Sequence, residues 1–340
     1  VHPKNSNLIY AGGIDANAGF YKSTDAGETW KRMNNGVISD ISLHPDNPDD
    51  VIVGIAGENV FQTLDGGETW TNLLVDNAVT FARISVQRSP ANLNKLYMLA
   101  ALSSSSGAPA SYVSTNGGKN WQSRNITSTA FGGDPARRQG DYDNFIMPHP
   151  ADEKICLLGG VDLFYTDNNA SLWQEVAGYD FPETHPDMHC AAYNPMNPNI
   201  VYLGCDGGMF KSTNKGYSWF AINNNLPITQ YHGMAIDHSK GTKNYGGTQD
   251  NGTISDDAMM WGNVAGGDGS HAIVNSSNPN IVWGGTQYGG VFKRDMSSGN
   301  FTSYANRFTD AVTKVLDQAA FVAPLEADPN DPATIYSGRR

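Results

Sequence analysis

Charge is scarce in this sequence, and positive charge scarcer still. Only 16% of the 340 residues are Asp, Glu, Lys or Arg, against a usual share of roughly 25%. Lys plus Arg number 22 against 34 Asp plus Glu, a net charge of −12. That balance argues against a nucleic-acid partner and against a polybasic contact with a membrane surface. Long apolar runs are missing too: none approaches the roughly 20 residues that span a bilayer, so no transmembrane segment is expected. Cysteine is nearly absent. Cys156, Cys190 and Cys205 are too few for a disulfide framework; buried free thiols are expected, with a Cys190–Cys205 pairing across neighbouring strands as the alternative. No signal peptide is present, and Val1 falls inside a repeat, which predicts a processed or trimmed start. Helical periodicity is also lacking; residues 310–318 are the only helix candidate.

What is abundant is glycine (37), tyrosine (15) and Asn/Pro turns, the make-up of an extracellular all-β protein. One short pattern recurs, each copy ending in tryptophan. It reads Ser23-Thr-Asp-Ala-Gly-Glu-Thr-Trp30, then Thr63-Leu-Asp-Gly-Gly-Glu-Thr-Trp70, then Ser114-Thr-Asn-Gly-Gly-Lys-Asn-Trp121. Thr166 to Trp173, Ser212 to Trp219 and a worn Ser255 to Trp261 follow, and Phe301 marks a seventh, degenerate copy. The tryptophans lie 40, 51, 52, 46 and 42 residues apart. A period near 45 residues, with four strand-like runs per unit, predicts a β-propeller of four-stranded antiparallel blades. Seven blades are expected over residues 1–318, with residues 319–340 giving two strands of a further blade, by ring closure or as the start of a second propeller. Eight blades is the alternative.

In the repeated turn the Asp or Asn side chain accepts from backbone N–H groups, and glycine takes φ > 0. The tryptophan is expected to wedge between blades. Asp25, Trp30, Asp65, Trp70, Asn116, Trp121, Trp173, Asn214, Trp219 and Trp261 are therefore read as structural. The motif resembles the Asp-box of bacterial sialidases, sortilin-type receptors and family 74 xyloglucanases, where it is structural as well. Five Asn-x-Ser/Thr sequons, at Asn125, Asn169, Asn251, Asn275 and Asn300, matter only in a glycosylating host.

Strand direction alternates within a blade, so strand-one starts and the loops between strands two and three share one end of the channel. Four consecutive blades place polar residues there: Asp143; His185, Asp187 and His189 with Asp206; Tyr231 with Gln249 and Asp250; and Asp268 and His271 with Tyr288. These are the candidate ligand-binding residues. Asp206, Asp250 and Asp268 also suit plain turns. Alternate residues of an extended strand share a face, so His185, Asp187 and His189 are a candidate set for zinc or another transition ion. Calcium near the turns is a further option without EF-hand spacing behind it; no cofactor is expected to be required.

A longer likeness follows from Gly140-Asp-Tyr-Asp-Asn144, Asp187-Met-His189, Gly204-Cys-Asp-Gly-Gly208, Leu226-Pro-Ile-Thr-Gln-Tyr231, Gly246-Gly-Thr-Gln-Asp-Asn-Gly252 and Gly266-Gly-Asp-Gly269. In this order they resemble the large secreted sortilin-like or glycosyl-hydrolase-like propellers of Bacteroidetes-type bacteria, often type IX secretion substrates. The resemblance implies an extracellular or cell-surface location and further domains of the same polypeptide. Sialidase activity is not expected: Phe81-Ala-Arg-Ile-Ser85 matches the sialidase segment poorly, and nothing aligns Arg83, Arg124 and Arg137 as a carboxylate clamp. An inverting hydrolase needs two carboxylates about 6.5–9.5 Å apart; Asp143, Asp187, Asp206 and Asp268 are the candidates, with Tyr142, Tyr231, Tyr288 and Trp283 as stacking faces. The preferred expectation is a non-enzymatic propeller that binds an extracellular glycan or protein at one mouth. Glycoside hydrolysis and a structural role in a surface fibre or adhesin are the alternatives.

Overall fold

In the computed structural model the chain is an all-β propeller. The structure describes residues 1–338 except 77, 104–108, 125, 127–138, 240–242, 258–260 and 305–318. The helix candidate at 310–318, the Asn125 sequon and Arg137 thus lie outside the described residues. Two 3-10 turns, Asp15–Asn17 and Gln287–Gly289, are the only helical elements among the described residues, and no helix there is long and apolar enough to cross a membrane.

The chain divides into two compact units, Val1–Asn224 and Asn225–Arg340. The first holds five antiparallel sheets in chain order. Sheet I has three strands, Ile9–Gly13, Gly19–Ser23 and Lys31–Asn34. Sheet II comprises Val37–Leu43, Val51–Ala56, Val60–Thr63 and Thr71–Asn72; sheet III comprises Phe81–Ser89, Asn92–Leu102, Pro109–Ser114 and Gln122–Arg124. Sheet IV is Phe145–Pro148, Cys156–Gly159, Leu163–Thr166 and Gln174–Ala177; sheet V is Met188–Asn194, Asn197–Cys205, Gly208–Ser212 and Phe220–Ala221. The second unit holds sheet VI (Tyr231–Asp237, Lys243–Thr248, Gly252–Asp257, Trp261–Ala265) and sheet VII (Gly269–Val274, Ile281–Thr286, Gly290–Asp295, Phe301–Ser303). Sheet VIII pairs Leu325–Ala327 with Ile335–Ser337.

Strand periodicity explains the packing. Alternate residues leave a strand on opposite faces, and here both faces are apolar. Leu96, Met98 and Ala100 pack on Ile52 and Val60 of sheet II, while Tyr97 and Leu99 pack on Ile146, Leu158 and Phe164 of sheet IV. Leu157 in turn joins Val201, Leu203 and Phe210 of sheet V. In the second unit Tyr245 and Val264 meet Val282 and Phe292. The first strands of consecutive sheets lie side by side within each unit. Where the second strand of sheet II passes the first strand of sheet III only glycine fits: a Cβ on Gly54 would sit 2.8 Å from Ile84. Polar side chains stitch these strands laterally. Ser39 Oγ donates to Ile84 O at 2.8 Å, and Asp40 Oδ2 accepts from Ser85 Oγ and Val86 N at 2.9 and 2.8 Å.

The repeated turns are built as their chemistry predicts. Asp65 Oδ1 accepts from Thr63 Oγ1 (2.7 Å) and Thr69 N (2.9 Å), Gly67 N donates to Thr63 Oγ1 (2.8 Å), and Trp70 Nε1 donates to Gly67 O (3.0 Å). Asp25, Asn116, Asn168 and Asn214 repeat the side-chain bonds; the indole bond recurs at Trp30 and Trp219, whereas Trp121 Nε1 donates to Leu73 O. The residue after the Asp or Asn takes positive φ in every one of these five copies, from Ala26 to Lys215. The Trp70 ring meets Phe20 of the preceding sheet edge-on at 5.1 Å, and Trp173 and Trp219 are buried in clusters spanning two sheets. Two tryptophans depart from the wedge role. Trp30 and Trp261 are 43% and 49% exposed, each belonging to the first sheet of its unit, where no earlier sheet of that unit covers it. The seventh copy is a different turn: Asp295 caps it through Ser297 and Ser298, and Phe301 stacks on Phe292 of its own sheet. The centre of the sixth, residues 258–260, lies outside the described residues.

Trp70→Ala should destabilise the protein by about 3 kcal/mol, since a half-buried ring and its edge contact are both lost; a thermal midpoint equal to the parent's would contradict the wedge. The turn carboxylates add a pH signature. Asp25 and Asp65 are held at about 2, below the ordinary 3.8, first by the Thr29 and Thr69 hydroxyls, then by those residues' N–H groups. A lowered folded value means stabilisation complete above about pH 4 and lost as pH falls toward about 2. Asp65→Asn should flatten acid unfolding over that window, as followed by circular dichroism.

Candidate functional site

Three segments of the first unit bring acidic side chains together. Residues 139–144 lead into the first strand of sheet IV, residues 184–187 into that of sheet V, and residues 205–208 turn between the second and third strands of sheet V. The first segment is a tight turn, with Tyr142 N and Asp143 N donating to Gln139 O at 2.7 and 3.0 Å. Arg83, on the first strand of sheet III, clamps it: Nη1 donates to Asp141 O (3.0 Å) and Tyr142 O (2.5 Å), Nη2 to Asn144 O (3.3 Å). In the second, Asp187 N donates to Val161 O at 2.9 Å, and Asp206 N donates to Asp187 O at 3.2 Å. Asp187 itself has φ +63, a conformation that costs a non-glycine residue energy and recurs at functional sites.

The side chains form two linked pairs. Asp143 is 0% exposed, with the Gln139 side chain and its own backbone N–H beside its carboxyl. What it meets is the carboxyl of Asp187, which Gln139 Nε2 also holds at 2.9 Å. Two carboxyls in contact cannot both ionise, so they share a proton. Burial, then the Asp187 charge and hydrogen bond, push Asp143 up to about 9. Asp187 is raised as well, by burial foremost and by the charge of Asp206. The second pair is His189 Nε2 with Asp206 Oδ1, at 2.5 Å. Tyr142 donates its hydroxyl to Asp206 Oδ2 at 3.1 Å, and its ring, 54% exposed, stands edge-on to the His189 imidazole at 4.9 Å.

Of the sequence candidates, then, Asp143, Asp187, His189 and Asp206 come together. The idea that His185, Asp187 and His189 point one way from a single strand is corrected. The strand starts only at Met188, Asp187 is left-handed, and a bulge falls between Met188 and Cys190. His185 instead packs against Gly207, with Nδ1 at 3.1 Å from Pro186 O. Among the described residues no three His, Cys, Asp or Glu side chains gather as metal ligands. Arg83 is spent on carbonyls rather than on a carboxylate. Its clamp was missed because contact with main chain leaves no pattern in sequence. Cys190 and Cys205 are free thiols; contrary to expectation Cys190 is exposed, while Cys156 is buried.

In the second unit Gln249, Asp250 and Asp268 interlock. Gln249 Nε2 donates to Asp250 Oδ1 (2.8 Å) and Asp268 Oδ1 (2.9 Å), Asp250 N donates to Asp268 Oδ1 (3.0 Å), and Asp268 N donates to Gln287 Oε1 (3.2 Å). Such mutual satisfaction, with Asp250 at φ +59, accounts for these residues as loop ties. His271 packs on Gly233, and Tyr231 lies over Gly246 with its ring near Trp261. Tyr288 is 67% exposed, with its ring edge-on to Phe321. Trp283 stacks on Tyr304.

The buried pair predicts a pH profile opposite to that of the turns. A carboxyl raised in the folded state stabilises fully below its unfolded value, and that stability is lost as pH rises through the folded one. The parent's thermal midpoint should fall between about pH 4 and about pH 9, and Asp143→Asn should remove most of this decline. Equal slopes in parent and variant would show that the two carboxyls are not coupled.

A family model described as "Sortilin, neurotensin receptor 3" matches residues 18–144, well under half of the chain. No curated protein matches. Among solved structures, the GH74 enzyme of Niastella koreensis superposes with a TM-score of 0.52 at 16% identity, covering 99% of this chain and 58% of that one. This chain thus spans a little over half the length of that enzyme. PorZ, described as a surface component of the type-IX secretion system of Porphyromonas gingivalis, gives 0.43 at 15% identity, with 98% and 43% covered. YCF48 bound to a D1 peptide gives 0.44 at 13%, with 82% and 85% covered. At such identities the likeness concerns fold. In fold, the chain is a sortilin-like, glycosyl-hydrolase-like β-propeller built on Asp-box turns.

Proposed function

We propose that the chain is a secreted or cell-surface binding propeller that engages an extracellular glycan or protein through Tyr142, Asp187, His189 and Asp206, without catalysis. One observation carries this reading: Asp143 and Asp187 are in direct contact. An inverting glycosidase keeps its carboxyls about 6.5–9.5 Å apart to admit sugar and water, and this pair leaves no such gap. Asp206 already has a donor on each oxygen, from His189 and Tyr142, which suits a fixed recognition surface. On this reading no cofactor is required, further domains of the same polypeptide complete the protein, and residues 319–340 open a further blade after a seven-bladed ring. Hydrolysis remains as a second reading on one ground: Asp143 stays protonated at neutral pH, as a general acid must, although it is fully buried.

A glycan array and a surface-protein pull-down should give a ligand that the Asp187→Ala/His189→Ala double variant binds at least about tenfold more weakly. The variant's thermal midpoint should stay within a few degrees of the parent's. Xyloglucan incubated with the parent should release no reducing ends. Release of reducing ends that Asp143→Asn abolishes would replace the binding reading with the hydrolytic one.

A further inference from the structure

We propose that Lys95 and Asn169 condense into a covalent amide, an isopeptide bond that locks sheet III to sheet IV. The two side chains come from different sheets and already touch: Lys95 Nζ donates to Asn169 Oδ1 at 2.5 Å and to Glu153 O at 2.7 Å. Neither residue is what its place in the repeat calls for. The carbonyls of Asn7, Asp49, Asn94, Lys154 and Asn199 each accept a backbone N–H from a repeated turn. The residues that follow them, Leu8, Asp50, Lys95, Ile155 and Ile200, therefore share one position. It is apolar in three sheets, and in sheet II Asp50 is paired with Arg88 at 2.7 Å. Lys95 is 2% exposed, and its amine meets neutral oxygens; among the described residues no carboxylate forms an ion pair with it. A buried ammonium without a counter-charge is costly. Asn169 is equally unforced: Ala26, Gly66, Gly117 and Lys215 take the same left-handed position in the other turns, so the turn itself has no need of a carboxamide there.

The surroundings turn the amine into a nucleophile. Burial foremost, with a lesser part from Arg124, holds Lys95 below the ordinary lysine range, while Glu153, Cys156 and Asp152 act the other way. A desolvated lysine spends more of its time as the neutral amine, the form that attacks carbonyl carbon. The Tyr97 ring, two residues along the same strand, lies 5.1 Å from Nζ and closes the amine in. The step balances without a co-reactant. The Nζ lone pair forms a bond to Asn169 Cγ, one Nζ proton passes to Nδ2, and the Cγ–Nδ2 bond breaks to release ammonia. Glu153, first among the opposite charges that act on Lys95, is the carboxyl on hand to carry that proton.

The link would join positions 74 residues apart. Closing so long a loop removes freedom from the unfolded chain, as a disulfide does. In a molecule held together by sheet-to-sheet contacts, it would make sheets III and IV unfold as one piece, in a chain whose three cysteines are free thiols.

The test is mass spectrometry of the whole chain in denaturant. The parent should weigh less than its sequence by one ammonia, whereas Lys95→Arg and Asn169→Ala should each keep their full sequence mass. Trypsin does not cut after an acylated lysine, so the parent should yield a branched peptide joining residues 89–119 to residues 155–211. In Lys95→Arg, which keeps the positive charge, those two segments should separate. The branch distinguishes the link from succinimide formation at Asn35, Asn116 or Asn251, each followed by glycine, where ammonia is lost and no second segment is joined. A parent that holds its full mass through prolonged incubation at neutral and mildly alkaline pH overturns the proposal and leaves Lys95 a hydrogen-bonded tie. So does an ammonia loss that persists in both variants or arises without the branched peptide. The measurements on the parent decide the matter even if a variant misfolds.

Discussion

A sheet with two apolar faces cannot stand alone, and that constraint organises the molecule. The strand Asn92–Leu102 shows it: its even-numbered residues need sheet II and its odd-numbered ones need sheet IV. Removing one neighbour would expose Leu96, Met98 and Ala100 together, at about 1.5–3 kcal/mol for each large side chain. Stability is therefore a sum of sheet-to-sheet contacts, as in repeat proteins, with no single central core. The Asp-box turns serve that sum. By fixing where the third strand ends and the fourth begins, they aim Trp70, Trp121, Trp173 and Trp219 at the preceding sheet, and Trp70 on Phe20 is the clearest instance.

The same constraint produces the site. Because neighbouring sheets are pinned face to face, with Ile146 N donating to Ser85 Oγ and Asp187 N and Met188 N donating to Val161 O and Gly160 O, the segments entering sheets IV and V cannot spread apart. Arg83 then fixes the 139–144 turn from a neighbouring strand, and the backbone bonds of Asp187 fix the other side. Two carboxyls are pressed together by main-chain geometry rather than by mutual attraction. Their shared proton is a consequence of scaffold rigidity.

How much of this was legible in the sequence follows from what leaves a local pattern. Asp65, Gly67, Thr69 and Trp70 satisfy one another within eight residues, so spacing alone revealed the turn. The meeting of Asp143 with Asp187, His189 and Asp206 was legible at one remove, from chain direction within a blade. The inferred strand face of His185, Asp187 and His189 failed because a left-handed residue and a bulge break the two-residue period. Phe301 failed as a turn copy because spacing located a strand end, while Asp295, not an Asp-box, closes that hairpin. Arg83 left no signal in the sequence because its partners are carbonyls, and every residue carries one.

Asp40 supplies the control that Asp143 lacks. Asp40 lies in the first strand of sheet II and Asp143 in the segment entering that of sheet IV, and burial raises both. Asp40 is answered by Ser85, Val86, Gln87 and Ile41, which offset its desolvation and make it a lateral tie between sheets. Asp143 is answered chiefly by a second acid, which raises it, while its own backbone N–H and Gln139 offset little of the burial. A pure tie would be served better by an amide or an apolar side chain, since an unsatisfied buried acceptor lowers stability.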